Sequence, residues 1–86
     1  MNVLAIEEKI EDLDIQILDV EADYEKSLED YEAFKLTHLD FKGQVYKQMI
    51  KEHQSKIKVL GAKLRKLKTS KGKLEDKLYN SDNEYY

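Results

Sequence analysis

The chain is predicted to be all-α: a long antiparallel helical hairpin, with arms at about residues 3–38 and 44–79, pairing into a four-helix bundle or a coiled-coil dimer. Three observations carry that expectation. Apolar residues recur at alternating steps of three and four through both halves of the sequence. The two apolar stripes are out of phase with each other. The halves also differ in charge: residues 1–41 hold thirteen acids and three bases, whereas residues 42–78 hold twelve bases and three acids. Eighty-six residues allow one small domain, and a chain without Pro and with only three Gly has little material for tight turns or strand breaks.

The first arm carries the seam Val3, Ile6, Ile10, Leu13, Ile17, Val20, Tyr24, Ser27, Tyr31, Phe34, His38 and Phe41. Only Ser27 and His38 depart from strongly apolar character, so this is a heptad pattern sustained over more than five repeats. Leu4, Ile15, Leu18, Ala22, Leu28 and Ala33 are expected to flank the seam and widen it, which suits contact with more than one neighbouring helix.

The second arm carries Tyr46, Ile50, His53, Ile57, Leu60, Leu64, Leu67, Lys71, Leu74 and Leu78. Its phase lies five residues beyond a whole number of heptads from the first. At about 100° per residue, the two stripes would sit roughly 140° apart on one continuous helix. A straight rod would bury its halves on nearly opposite sides; a turn removes the conflict. Gly43 supplies the turn, and Thr37 or Asp40 is expected to cap the second helix. Reflection about Lys42 then faces Phe34 with Ile50, Val20 with Leu64, Ile17 with Leu67 and Ile10 with Leu74. It sets Gly61 beside Tyr24, His38 by Tyr46 and His53 by Tyr31. Residues 1–79 form the hairpin in this reading, and 80–86, where the periodicity ends, form a polar flexible tail.

Two helices touching along one stripe bury little apolar surface for the number of residues they order. A helical protein partner, a second copy or a different chain, is therefore expected. Its contact surface is assigned to Ile15, Leu18, Leu28, Tyr31, Phe34, Phe41 and Tyr46, which combine the widened seam with an aromatic zone at the turn.

Several chemistries are excluded by residue type and placement. There is no cysteine, hence neither a disulfide framework nor a thiolate metal site. His38 and His53 fall on separate levels of the hairpin, so no metal site is expected. Neighbouring carboxylates such as Glu7-Glu8 and Glu29-Asp30 lie on solvated faces, and no nucleophile–base set or phosphate-binding loop is present. The expectation is a non-enzyme with no cofactor, no metal and no small-molecule substrate. Nucleic acid is not the expected partner, because the basic arm has one Arg and no aromatic residues interleaved among its lysines beyond Tyr46. The opposite charges of the arms are read as selecting their antiparallel pairing. No apolar run reaches the length of a membrane span, and the start of the sequence lacks the basic and apolar regions of a signal peptide. Lys outnumbers Arg fourteen to one, the bias of an AT-rich genome such as that of a low-GC bacterium or its phage.

Phe41-Lys42-Gly43-Gln44-Val45-Tyr46 resembles the aromatic-x-Gly turn of the WXG family of small type VII secretion proteins, with Phe41 in place of the usual Trp. The resemblance extends to chain length, turn position and helix–turn–helix layout. It implies a dimer or four-helix bundle, Phe41 packed between the arms, Gly43 bending the backbone, and a role as a secretion substrate or targeting partner. The family's export motif, Tyr-x-x-x-acid, is not reproduced, since Tyr79 is followed four places on by Asn83. The expected location is cytoplasmic, or exported without a cleaved signal peptide. Two other functions fit the same residues: a phage or mobile-element accessory protein that modulates a host protein or nucleoprotein complex, and a structural coiled-coil or scaffold component built on an unbroken helix.

Overall fold

The computed structural model describes residues 2–83, folded as α1 (Val3–Thr37) and α2 (Gln44–Asn83). The helices lie against each other as an antiparallel hairpin, with extents of 65 × 16 × 16 Å. An unbroken helix of this length would exceed 100 Å, at about 1.5 Å per residue, so the continuous-rod arrangement is excluded. No strand occurs among the described residues.

Each boundary has a local cause. Asn2 holds an extended conformation, and its side-chain oxygen accepts a 2.7 Å bond from the Ala5 N–H, which satisfies one of the free donors at the start of α1. At the other end of α1 the His38 N–H turns back to the Lys35 carbonyl and the Phe41 N–H to that of His38, tightening the chain into a turn. Gly43 then takes φ +120°, a region that side-chain-bearing residues rarely enter. Its carbonyl accepts the Lys47 N–H at 3.1 Å, the first bond of α2. Glycine thus occupies the capping position, and neither Thr37 nor Asp40 does. The Thr37 hydroxyl instead donates back to the Ala33 and Phe34 carbonyls, at 2.9 and 3.1 Å, because Thr37 is still the last residue of α1. α2 runs four residues beyond the last periodic stretch, through Asn83, with no Pro or Gly there to stop it. Of the expected tail, residues 84–86 lie outside the described part.

The core is the predicted seam. Ile6, Ile17, Val20 and Ser27 are buried, and every other α1 seam position through His38 is half-buried. On α2 all ten seam positions are half-buried. The register is that of reflection about the turn. Tyr31 stacks on His53, Gln54 donates to the Tyr31 hydroxyl at 3.0 Å, and Asp14 meets Lys71, so facing residue numbers sum to 84 or 85. Gly61 lies under Tyr24, where an added Cβ would stand 3.4 Å from the ring.

Charge contributes less to the pairing than the −10 and +9 balances suggest. Among the described residues, two ion pairs cross between the helices: Asp14–Lys71 and, at 3.5 Å, Glu21–Lys68. Lys68 is exposed, and Glu21, Asp14 and Lys71 are only half-buried, so each pair is worth little individually. Among the residues whose burial is described, the other acids and bases apart from Lys35 are exposed, leaving one helix with an acidic outer side and the other with a basic one.

Candidate interaction surface

The turn end concentrates the molecule's rings. Phe34 is the hub: Tyr46 stacks on it at 5.6 Å between centroids, His38 at 4.2 Å, and His53 tilts against it at 5.0 Å. His53 is also the stacking partner of Tyr31 at 5.7 Å, as the register requires. His38 does not meet Tyr46 as expected. Its ring is held by the Phe34 carbonyl and the Thr37 hydroxyl, each 2.8 Å from Nδ1, and Phe34 stands in the place facing Tyr46. Lys35 lies 4.4 Å above the Tyr31 ring while bonded at 3.0 Å to Glu32, and that hydrogen bond raises its pKa above the usual lysine value.

Phe41 departs from the reading that packs it between the arms. It is 59% exposed and touches the His38 ring only edge-on, at 4.8 Å. The helical rotation that would carry it into the seam stops at Thr37, four residues earlier. Beside it in sequence Leu39, Val45 and Met49 are also exposed and give the turn end an apolar cap, whereas Leu36 lies on the far side of α1, in line with Leu18. The heptad pattern does not reveal the cap, because Leu39, Val45 and Met49 lie off both seams.

The other expected contact residues divide. Tyr31, Phe34 and Tyr46 are half-buried and occupied with each other and the histidines. Leu28 is 37% exposed and does flank the seam. Ile15 and Leu18, at 60% and 66% exposure, do not widen it. At about 100° per residue, Ile15, Leu18 and Ala22 centre about 160° from the buried line through Leu13, Ile17, Val20 and Tyr24. They lie on the far side of α1.

A furrow runs from the cap along one side of the hairpin. It begins with an open space of about 470 Å³ along α2, beside Val45, Gln48 and Met49, and continues into one of about 230 Å³ where Met49 and His53 meet Ser27 and Asp30. It ends in a space of about 300 Å³ between Asp23, Lys56 and Leu60. Ser27, a small side chain in a seam of large ones, lines its middle and far parts. From Gln44 to Leu60 the furrow is about 24 Å long at 1.5 Å per residue.

Among the described residues no group of three or more His, Asp or Glu is placed to hold a metal ion. No described helix is long and apolar enough to cross a membrane. The arrangement defines an all-α helical hairpin whose distinctive chemistry is its exposed apolar surface. Comparison with protein-family models, curated proteins and solved structures returns no match.

Proposed function

We propose that this chain is a non-enzymatic interaction module that engages another helical protein through its turn end, in the manner of the small type VII secretion partners its turn resembles. The observation that supports this reading most is the exposed cap of Leu39, Phe41, Val45 and Met49, of which Met49 also lines the space beside Ser27. Large apolar side chains clustered on a monomer's surface mark a contact site. A furrow about 24 Å long matches four to five turns of an amphipathic helix laid between two others. The mixed charges along its rim, Asp30 and Glu52 beside Lys56, suit a partner helix with both signs on its flanks.

The module is tested by affinity capture from the organism that encodes it, using the wild-type chain beside a Leu39→Glu, Val45→Glu variant. Both positions are exposed, so the variant keeps the fold. A partner held by the wild type and released by the variant supports the proposal. A partner held equally by both removes the turn end from the account.

A further inference from the structure

The outer faces of the two helices are left without a neighbour by the hairpin, and they differ in both size and charge. On α1 the outer row holds the large apolar residues Ile15 and Leu18 with Ala22, interspersed with Glu11, Asp19 and Glu25. On α2 the row diametrically away from the seam holds Ser55, Ala62 and Thr69, small side chains seven residues apart, beside Lys58, Arg65 and Lys73. All twelve are exposed, and none takes part in the ion pairs that cross the hairpin.

We propose that the outer face of α1 docks against the outer face of α2 in a second copy of this chain, antiparallel and in the register the hairpin itself uses. In that register Glu11 meets Lys73 and Asp19 meets Arg65, and Glu25 comes within one residue of Lys58. Ile15 faces Thr69 and Ala22 faces Ala62, so small side chains of α2 leave room for this part of α1. Leu18 faces Lys66, whose aliphatic stem covers it while the ammonium stays in water. Slipping by one heptad in one direction still sets Glu11 against Lys66 and Asp19 against Lys58, whereas slipping in the other sets Glu11 against Asn80 and Asp19 against Gly72. The charge pattern therefore disfavours one direction of slip.

The hairpin has extents of 65 × 16 × 16 Å, and a copy with neighbours on both sides covers both of its outer faces. Because unlike faces meet, each added copy leaves one of each kind free, and the assembly is a row of hairpins, not a closed pair.

This contact uses no residue of the turn-end cap, so the two proposals stand or fall separately. The test is sedimentation velocity over a wide concentration range at low and high salt. The wild type is expected to form larger species as concentration rises and to lose them as salt screens the charges. Two variants are compared: Asp19→Lys with Glu25→Lys, and Lys58→Glu with Arg65→Glu. Each alone is expected to associate at least about tenfold more weakly, the equivalent of about 1.4 kcal/mol. Their equimolar mixture recovers assembly, since each reversed face then meets its opposite. An Ile15→Ser, Leu18→Ser variant, altered only at exposed positions, is expected to lose assembly while keeping its helical signal. A wild type monomeric at every concentration overturns the proposal, as does a mixture of folded variants that fails to assemble. Assembly abolished by Leu39→Glu, Val45→Glu instead would assign self-contact to the cap and overturn it as well.

Discussion

The three glycines occupy three environments, and replacing each with alanine gives stability changes of different sign. Gly72 lies within α2 with nothing within 4 Å of an added Cβ. Alanine there removes the helix penalty of glycine, about 0.8–1 kcal/mol. For a domain of this size that raises the melting temperature by about 4–8 °C. Gly61 is also helical, but its new methyl would stand 3.4 Å from the Tyr24 ring. That is ordinary contact at its close limit, so Gly61→Ala is expected to gain less than Gly72→Ala. Gly43 holds φ +120° with open space around it. Its alanine variant meets no clash with a neighbour; it is strained by its own backbone, and the cost is about 1–3 kcal/mol. Thermal and urea unfolding followed by circular dichroism, with the protein dilute enough to be monomeric, measures all three. The expected order of stability is Gly72→Ala, Gly61→Ala, wild type, Gly43→Ala. A neutral Gly43→Ala would show that the turn does not require glycine, and a destabilised Gly72→Ala would show that this half-buried position of α2 has a neighbour.

Other perturbations probe the seam and the charges. Ile17→Ala, at a buried position, should cost about 2–5 kcal/mol in urea unfolding. Leu18→Ala, one residue along and exposed, should stay within about 0.5 kcal/mol in the dilute monomer. Bonding to Asp14 raises the Lys71 pKa above its usual 10.5. A raised lysine contributes fully below its unfolded value and loses that contribution as pH rises through the folded one. The melting advantage of wild type over Asp14→Asn should therefore hold from neutral pH to about 9 and shrink as pH passes 10.5; an advantage unchanged at higher pH would contradict the bond. Lys63, Arg65, Lys66 and Lys68 should give no tight duplex-DNA binding at physiological salt in a fluorescence titration, and strong salt-sensitive binding would make nucleic acid the partner of α2.

Much of the hairpin was readable from the residues because one periodicity governs it. Twenty-one of the twenty-two seam positions, from Val3 to His38 and from Tyr46 to Leu78, are buried or half-buried, and the register falls where the phase change and Gly43 together place it. The pairings of Tyr24 with Gly61 and Tyr31 with His53 follow directly. The contact surface was less legible. Periodicity says which side of a helix is apolar, but Ile15 and Leu18 were assigned to a widened seam although their angular position sets them on its far side. Phe41 was carried along the heptad past the point where backbone hydrogen bonds end the helix, a boundary fixed by the His38 and Thr37 bonds to preceding carbonyls. The cap of Leu39, Val45 and Met49 arises from chain reversal, which places beside the turn residues that no single helical period connects.

The reversal itself is open to one direct measurement. The chain has no cysteine, so Lys9→Cys with Lys77→Cys places two spin labels on exposed sites and nowhere else. In the hairpin these positions lie on adjacent helices whose axes are about 8–10 Å apart. Along one unbroken helix they would be about 100 Å apart. Pulsed dipolar spectroscopy, with labelled protein diluted in unlabelled chain to suppress contacts between copies, should give a short distance that survives dilution. Loss of that short distance on dilution would mean that the arms meet only between molecules, and the fold described here would be wrong.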